Sequence, residues 1–377
     1  MFNNLASPSQ GAVISTLFLF ALVLSCLSTR ATADELPRSG AQEEIRENYK
    51  FGGLAFYYNQ VTYYSVHPEG TEKLHRGSTH TLNSGEWLAA VGRLDVLLVQ
   101  SEGHSLSITE DGALHLGREP SNNFRTQIAS KAALLSIAPE LDSLRYAHLW
   151  PPLAWMSKLC ESTLEYLATG LGLSWGWAIM LFALVLRIVL LPLSLLTGHW
   201  QQKVRDIQST LAPKLAEIKA NFDGEEAHNR LMEAHSNLGV SPFYTLKPML
   251  GTLIQIPVLI AAFNALGEMP QLKSQSFGWI NDLAYPDAII SLTEHIPLLG
   301  SSINLLPFAM TIVTLVSGSR LFGGQEAAGA GISRWLLAAV FFLLFFPFPA
   351  AMVLFWTVTN LLQLIQSRAT ERPVSYA

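Results

Sequence analysis

Long apolar runs dominate the C-terminal half of the chain and predict helices that cross a lipid bilayer. A spanning helix needs about 20 predominantly apolar residues, because the hydrocarbon core is about 30 Å thick. The last run is too long for one crossing and is interrupted at Pro347-Phe348-Pro349, where proline disfavours helix. The pattern therefore predicts a mainly α-helical polytopic membrane protein with five mature spans, at about 175–197, 246–267, 304–321, 334–346 and 350–367.

The positions of Lys and Arg predict how these spans are oriented, because short loops rich in these residues stay in the cytoplasm. The loop at 268–303 contains only Lys273 against four acidic residues, which predicts an outer loop. Basic residues mark the other loops and the C-terminus as cytoplasmic: Lys203, Arg205, Lys214, Lys219, Arg230 and Lys247, then Arg320 and Arg334, then Arg368 and Arg372. The tail 369–377 is thus predicted to be cytoplasmic.

Within the first cytoplasmic loop, residues 199–241 predict a helical hairpin. Apolar residues recur every three or four positions on both sides of a turn signal at Asp223-Gly224. A two-helix arm has no membrane-spanning task, which favours a partner-facing or gating role, although a merely solvated polar face would give the same pattern.

The N-terminal segment 1–33 allows two interpretations. The apolar stretch 12–27 precedes Ala31-Thr32-Ala33, which fits a signal peptide cleaved after Ala33. Residues 1–11 contain no Lys or Arg, however, so an uncleaved membrane anchor fits as well. A loose lipoprotein-like pattern at 23–26 is a third alternative. The only cysteines are Cys26 and Cys160, so no disulfide framework holds the exported part.

Residues 34–150 predict a small β-rich domain on the outer side. Short segments rich in Tyr, Val, Ile and Leu are separated by turn residues and predict strands at Gly53–Tyr58, Val61–Val66, Arg93–Gln100, His104–Ile108 and Ala113–Gly117. Five histidines of this domain lack the tight spacing of metal ligands: His67, His75, His80, His104 and His115. We therefore predict no metal site.

Residues 151–170 join the two parts and predict an amphipathic helix. Six residues with apolar or thiol side chains fall on one face, and Lys158, Glu161 and Glu165 fall on the other: Leu153, Met156, Leu159, Cys160, Leu164 and Leu167. This is the pattern of a helix that lies flat on a membrane surface. Packing of the same stripe on the β-rich domain is the alternative.

The composition supports a membrane protein, and in this context the charged residue Arg187 is unusual. Half of the residues are hydrophobic and only 14% are charged. Arg187 lies near the middle of the predicted span 175–197, where an arginine costs about 2.5–3.5 kcal/mol on insertion-based scales. Such a residue normally faces a wet cavity inside a helix bundle, so the sequence predicts water enclosed within the membrane.

The five predicted spans contain no Asp or Glu, which argues against a proton- or cation-coupled transporter. Uncharged polar residues accompany Arg187 and are candidates to line the same cavity: Gln255, Asn264, Thr311, Thr314, Thr357, Thr359, Asn360 and Gln363. Hydrogen bonds that hold helices together would explain each of them equally well.

Enzyme motifs are missing from the sequence. There is no GxxxxGK[ST] loop, H-E-x-x-H helix, G-x-S-x-G elbow or intramembrane protease pair. We predict a protein that is not an enzyme and uses no cofactor.

Six segments in order resemble the YidC family of membrane protein insertases, over about residues 145–368: GWAIMLFALVLRIVLLPL, LAPKLAEIKANF, LGVSPFYTLKPMLGTLIQIPVLIAAFNAL, FGWINDLAYPD, NLLPFAMTIV and PFPAAMVLFWTVTNLLQLIQ. The segments 86–100 and 128–150 resemble remnants of the larger outer β domain of Gram-negative members. The resemblance implies a bacterial inner-membrane protein with a five-helix insertase core and a shortened outer domain.

The resemblance also implies a hydrophilic groove that is open to the cytoplasm and the lipid, with Arg187 as its positive charge. The predicted substrate-binding residues are Arg187, Gln255, Phe355, Trp356, Asn360 and Gln363. The last span departs from the family pattern, because Phe355-Trp356 stands in place of a Tyr-Trp pair and Pro349-Ala350-Ala351 in place of Pro-x-Gly.

The implied partners are client membrane proteins and the lipid bilayer. The resemblance leaves open the Sec translocation channel, and ribosomes or targeting factors at the cytoplasmic hairpin; no specific nucleic acid is expected. A small-anion transporter or channel that uses Arg187 as its binding cation is the alternative function.

Overall fold

The computed structural model describes residues 51, 53–100, 103, 105–110, 112, 114–116, 125–222, 224–237, 247–296, 300–321 and 330–370. The predicted signal or anchor segment 1–33 lies outside the described residues, as do 371–377 of the predicted tail.

Eight strands form two antiparallel sheets in the first part of the chain, which we call the β-rich region (residues 53–150). The strands are β1 Thr62–His67, β2 Gly70–Leu74, β3 Thr79–Thr81, β4 Trp87–Val91, β5 Asp95–Gln100, β6 Ser105–Ile108, β7 Leu114–Leu116 and β8 Arg125–Ser130. One sheet has the order β2-β1-β4-β5-β8, and the other has the order β3-β6-β7.

The larger sheet is covered on both faces, which explains why its central strands are apolar throughout. Tyr64, Ala89 and Leu98 on one face pack with Leu141 and Leu144 from the segment after β8. On the opposite face, residues including Leu88 and Leu97 pack with Leu106 and Ile108 of the smaller sheet. A strand that is buried on both sides is a continuous hydrophobic run, so β4 and β5 lack the apolar-polar alternation of a half-exposed strand.

Four of the five predicted strands are confirmed as β1, β5, β6 and β7, with bounds shifted by one or two residues. The fifth prediction is wrong, because Gly53–Asn59 is a 3-10 helix. Its aromatic residues mimic a strand in composition, but Tyr57 and Tyr58 both pack near the ring of Phe348. Consecutive residues of a strand point to opposite faces and could not do so.

After β8 the chain forms short helical segments and then the predicted amphipathic helix. Helix α1 Leu134–Ile137 and a 3-10 segment Pro139–Leu144 lead to α2 Pro151–Glu165, which ends in a π turn at Tyr166–Gly170. The prediction that Glu161 lies on an exposed polar face is wrong, since it is buried together with Cys160 and Leu164.

The apolar stripe predicted for α2 is divided between two faces. Leu153, Cys160 and Leu164 are buried, whereas Leu159 is 53% exposed. Trp155, at 65% exposure, and Tyr166, at 64%, extend the exposed side. Part of the helix therefore packs on protein, as the alternative interpretation expected, and a second apolar side remains uncovered in the structure.

Seven helices and one hairpin follow in the described part of the C-terminal half. They are α3 Trp175–Val189, α4 Leu191–Asn221, α5 Gly224–Asn237, α6 Lys247–Glu268, β9 Ile290–Ile296, β10 Gly300–Ile303, α7 Leu306–Leu321, α8 Ala330–Phe345 and α9 Ala350–Thr370. The break at 346–349 confirms the predicted division at Pro347-Phe348-Pro349. The β9-β10 hairpin lies in the predicted outer loop and was not predicted.

The first predicted span is not one straight helix. It divides at Leu190 into α3 and α4, and the pair α3 with Leu191–Leu211 is bent by 50°. Pro192, in the first turn of α4, accounts for the new start, because proline fits the first turn of a helix but not its interior. Among the described residues, only this bent pair has the length and apolar character to cross a membrane, and no single helix does.

The predicted hairpin is present as α4 and α5, with α4 starting within the predicted span. The two helices contact each other. Gly224 opens α5 with a φ of +63°, a left-handed conformation that costs glycine little. Leu211 on α4 is fully buried.

The described residues form two compact units. The first unit contains the described residues between 185 and 259, and the second contains the other described residues. Within the second unit, α7 contacts both α8 and α9. The Asp287 carboxylate accepts hydrogen bonds from the backbone N–H groups of Leu305, at 2.9 Å, and Leu306, at 2.8 Å, which fixes the start of α7.

Candidate functional site

Arg187 lies in the last turn of α3, immediately before the bend at Leu190. It is half-buried, while the neighbouring Ile188 is 59% exposed and Val189 is 66% exposed. A cation in the last helical turn faces the partial negative charge of the helix C-terminus, which is favourable. The structure therefore places the predicted groove arginine at a helix end rather than in the middle of a straight span.

Gln255 belongs to the same compact unit as Arg187 and lies on α6. Its side chain is half-buried, between Ile254, which is 59% exposed, and Ile256, which is 4% exposed. The residue thus lies at the boundary between the buried and exposed faces of its helix.

Asn360 and Gln363 lie on α9, in the second unit, and are both half-buried. The Asn360 amide Nδ2 donates to Thr314 Oγ1 on α7 at 3.1 Å, which is a hydrogen bond between two helices. The threonines expected to line the cavity instead donate to carbonyl oxygens four residues back on their own helices: Thr311, Thr314, Thr357 and Thr359. These hydroxyl groups already have hydrogen-bond acceptors on their own helices. The polar side chains on α9 that remain as candidates to line the cavity are therefore Asn360 and Gln363.

Phe355 and Trp356 occupy different environments on α9. Phe355 is 1% exposed and packs on Phe182 and Phe263, which is the environment of a core residue. Trp356 is half-buried and stacks on Phe341 and Phe345. Its indole Nε1 is buried and has no hydrogen-bond acceptor among the described residues.

A cluster of three buried charged groups and one more exposed histidine joins the β-rich region to the end of α6, and the sequence interpretation missed it. We call it the clamp cluster: Arg93, Lys131, Glu268 and His148. Lys131 Nζ lies 2.7 Å from Glu268 Oε2, and His148 Nε2 lies 3.3 Å from the other carboxylate oxygen. Arg93 Nη1 donates to the Gly267 carbonyl oxygen at 2.8 Å.

A second cluster holds α2 against the segment that precedes it. Arg145 Nη2 lies 2.6 Å from Glu161 Oε2, and the Tyr146 hydroxyl donates to the same oxygen at 2.8 Å. Lys158 Nζ lies 2.6 Å from Asp142 Oδ2. Burial acts to raise the pKa of Asp142, but Lys158 and Arg145 outweigh it and hold that pKa below its usual value. Burial and the Glu161 charge raise the pKa of Tyr146 well above its usual value.

The signal that identified Arg187 also marks two of the missed residues. Arg93 lies in VGRLDVLLV and Lys131 in IASKAALL, each a cation between apolar residues. A buried cation requires a partner. Their carboxylate, Glu268, is far away in sequence, so only the fold could identify the pair.

Two histidines of the β-rich region lie against one carboxylate. His80 Nε2 lies 2.6 Å and His67 Nδ1 3.5 Å from Glu86 Oε1, and Ser65 also donates to this carboxylate. Within the described ranges, no group of three or more His, Cys, Asp or Glu residues could hold a metal ion.

Comparison with known proteins matches the C-terminal part of the chain to one family. The family model described as 60Kd inner membrane protein matches residues 166–376, more than half of the 377 residues. A solved structure, described as an active YidC insertase crystal structure with the first transmembrane domain resolved, is 16% identical, with a TM-score of 0.40, and the match covers 81% of this chain and 83% of that chain.

Curated relatives carry the name membrane protein insertase YidC. The protein from Bacteroides fragilis is 27% identical over 236 residues, which cover 60% of this chain and 37% of that protein. The Campylobacter jejuni protein is 29% identical, with 62% and 40% covered, and the Clostridium perfringens protein is 28% identical, with 52% and 79% covered. The matched segment is thus less than half the length of the first two relatives. The extent of the family match shows that this chain belongs to the family of the 60Kd inner membrane protein, that of the YidC membrane protein insertases.

Proposed function

We propose that this protein inserts client membrane proteins into the lipid bilayer of the bacterial inner membrane and assists their folding there. The family match over residues 166–376 carries the proposal, because this segment contains all six predicted substrate-binding residues. In the proposed arrangement the β-rich region is on the outer side and the hairpin α4-α5 is in the cytoplasm, in agreement with the Lys and Arg distribution.

Insertion of an apolar segment needs no ATP in this proposal. A client segment of about 20 Leu- or Ile-like residues gains up to roughly 6–12 kcal/mol when it enters lipid, at about 0.3 to 0.6 kcal/mol per residue. The obstacle is the polar flank of the client, whose charged and backbone groups must cross hydrocarbon. A hydrated groove that reaches part of the way through the bilayer shortens that path.

Arg187 is the proposed attractive group of this groove, and Gln255, Asn360 and Gln363 line it. Electrostatic attraction strengthens as the local dielectric constant falls, so a cation at membrane depth attracts an acidic client flank more strongly than a surface cation does. Asn360 can exchange its hydrogen bond to Thr314 for one to a client, and the indole N–H of Trp356 is a further donor. Phe355 supports these residues by packing.

Substitution of Arg187 tests the proposal. We expect Arg187→Glu to impair the insertion of a single-span client with an acidic translocated tail, whereas Arg187→Lys, which keeps the charge, impairs it less. The measurement is protease protection of the client tail in liposomes that contain the purified full-length protein. Arg125→Glu, at an exposed position of β8 outside the family match, is the matched control and should insert the client as the wild type does.

Insertion that does not change on substitution of Arg187 would refute its proposed role. If Arg187→Glu and Arg187→Lys both inserted the acidic client at the wild-type rate, the groove charge would have no role.

A small-anion transporter is the competing function, and the same liposomes can be used to test it. Chloride flux that depends on Arg187, without client insertion by the wild-type protein, would replace the insertase proposal with the transporter.

A further inference from the structure

The turn between β4 and β5 reaches the C-terminal end of α6 through Arg93. Its guanidinium lies 4.9 Å from the ring centroid of Phe51, 5.4 Å from that of Tyr58 and 5.1 Å from that of Tyr285. These distances are those of cation–π contacts. Together with the hydrogen bond to the Gly267 carbonyl oxygen, they enclose a side chain that is only 4% exposed.

Lys131 reaches the same helix end from the segment after β8. Its ammonium group and the Glu268 carboxylate are 6% and 8% exposed, so their ion pair is almost completely removed from water. His148, 39% exposed, approaches the second oxygen of the same carboxylate. Three basic side chains of the β-rich region thus meet one helix terminus.

The start of α9 joins this contact. The Tyr58 hydroxyl lies 3.2 Å from the sulfur of Met352, and the Tyr285 carbonyl oxygen accepts a hydrogen bond from the backbone N–H of Ala350 at 2.8 Å. A Cβ atom at Gly267 would collide with the Tyr58 hydroxyl, so the two segments approach as closely as only glycine permits. The end of α6 and the start of α9 are therefore bound to one site on the β-rich region.

We propose that Arg93 and Lys131 are positioning residues for client insertion, which dock the β-rich region on the ends of α6 and α9 and so hold both helices in register. The proposal rests on the proposed insertase function. Helix α9 carries Trp356, Asn360 and Gln363, so the contact at its start governs where these three side chains lie.

Ionic docking of this kind is selective, because it works only when every partner is in place. A buried charge without its partner is strongly unfavourable, whereas the complete pair is tolerated. A slightly displaced domain would leave Glu268, Lys131 and Arg93 uncompensated. The β-rich region is therefore either docked with all its ion pairs formed or undocked. An apolar contact, in contrast, tolerates small shifts of its surfaces.

Charge reversal tests the proposal in the purified full-length protein, reconstituted in liposomes. The variants are Lys131→Glu, Glu268→Lys and the double reversal. Docking is followed by the labelling rate of a thiol introduced by Met352→Cys in a Cys26→Ser, Cys160→Ser background. Met352 is 3% exposed and its sulfur lies 3.2 Å from the Tyr58 hydroxyl of the β-rich region, so a thiol there becomes accessible when the contact opens. Insertion is followed with the single-span client described above.

We expect each single reversal to raise the labelling rate about a hundredfold and to lower the initial insertion rate about tenfold or more, because a large part of the protein is then undocked. The double reversal restores the pair with opposite sense and should recover both in part, because Arg93 and His148 still face position 268. Lys158→Glu is the control: it reverses the charge in another ion pair, the more exposed one with Asp142, which includes no residue of α6 or α9. Labelling and insertion should therefore stay at wild-type values.

A pair of neutral substitutions keeps the docking test informative if the charge-reversal variants misfold. Lys131→Met combined with Glu268→Gln removes both charges, and we expect lower labelling than in either single reversal. Single reversals that fold, label like the wild type and insert normally would overturn the docking.

The two proposals fail in different ways. Normal insertion by single reversals whose introduced thiol labels rapidly would overturn the positioning role and leave the insertase function intact. Absence of insertion by the wild-type protein would overturn the insertase function, while the labelling rates would still decide whether the clamp cluster docks the β-rich region.

Discussion

Arg145→Met should expose the energetic importance of the second charged cluster. The substitution keeps much of the side-chain volume and removes the cation that faces the Glu161 carboxylate. Glu161 is 2% exposed, and its remaining partners in the described part of the chain are the Tyr146 hydroxyl at 2.8 Å and the Gln271 amide nitrogen at 3.4 Å. Neither remaining partner carries a positive charge, so the carboxylate becomes an uncompensated buried charge.

The expected cost is about 3–5 kcal/mol of folding free energy, the range for removing one partner of a buried ion pair. The entropy of unfolding is about 2.1 cal/mol/K per residue near 60 °C. For 377 residues this gives about 0.8 kcal/mol/K, so the midpoint of thermal unfolding should fall by about 4–6 °C. Arg145→Met with Glu161→Gln removes both charges and should recover most of that loss.

Thermal unfolding of the detergent-solubilised protein, followed by tryptophan fluorescence, measures this difference. The control is Arg230→Met, which breaks an exposed pair with Glu226 at 48% and 62% exposure and should leave the midpoint nearly unchanged. A midpoint within about 1 °C of the wild type at neutral pH would refute the reasoning, because it corresponds to less than about 1 kcal/mol.

Two further predictions concern close packing and pH. Gly176→Ala should destabilise the protein by about 1–3 kcal/mol, because the new Cβ would collide with the ring of Phe277. Gly198→Ala, with open space around the new Cβ, should be neutral or stabilising by up to about 1 kcal/mol. Equal midpoints of thermal unfolding for the two variants would contradict this prediction. Asp142→Asn should lower stability at neutral pH, since the lowered pKa of Asp142 in the folded state contributes stability above the unfolded pKa of about 3.9. That contribution is lost as the pH falls through the folded pKa, so the difference in unfolding midpoint between variant and wild type should disappear below about pH 4. A difference that is constant down to about pH 3 would show that the charge of Asp142 is not its cause.

The sequence alone was sufficient for the elements whose signal is local. Apolar runs bounded by turn residues located α6, α7, α8 and α9, and Pro347-Phe348-Pro349 marked the break between the last two. Helical spacing around Asp223-Gly224 located the hairpin α4-α5. Ordered motifs over residues 145–368 were specific enough to indicate the family, which the match over 166–376 then showed.

Tertiary structure decided the features that depend on distant residues. The aromatic segment Gly53–Asn59 is helical because Tyr57 and Tyr58 pack near Phe348, almost 300 positions later. Glu161 is buried because the fold brings Arg145 and Tyr146 to it, and Phe355 is a core residue because Phe182 and Phe263 surround it. Helical periodicity shows which residues share a face, but whether that face meets protein, lipid or water is fixed only when the partner segments are in place.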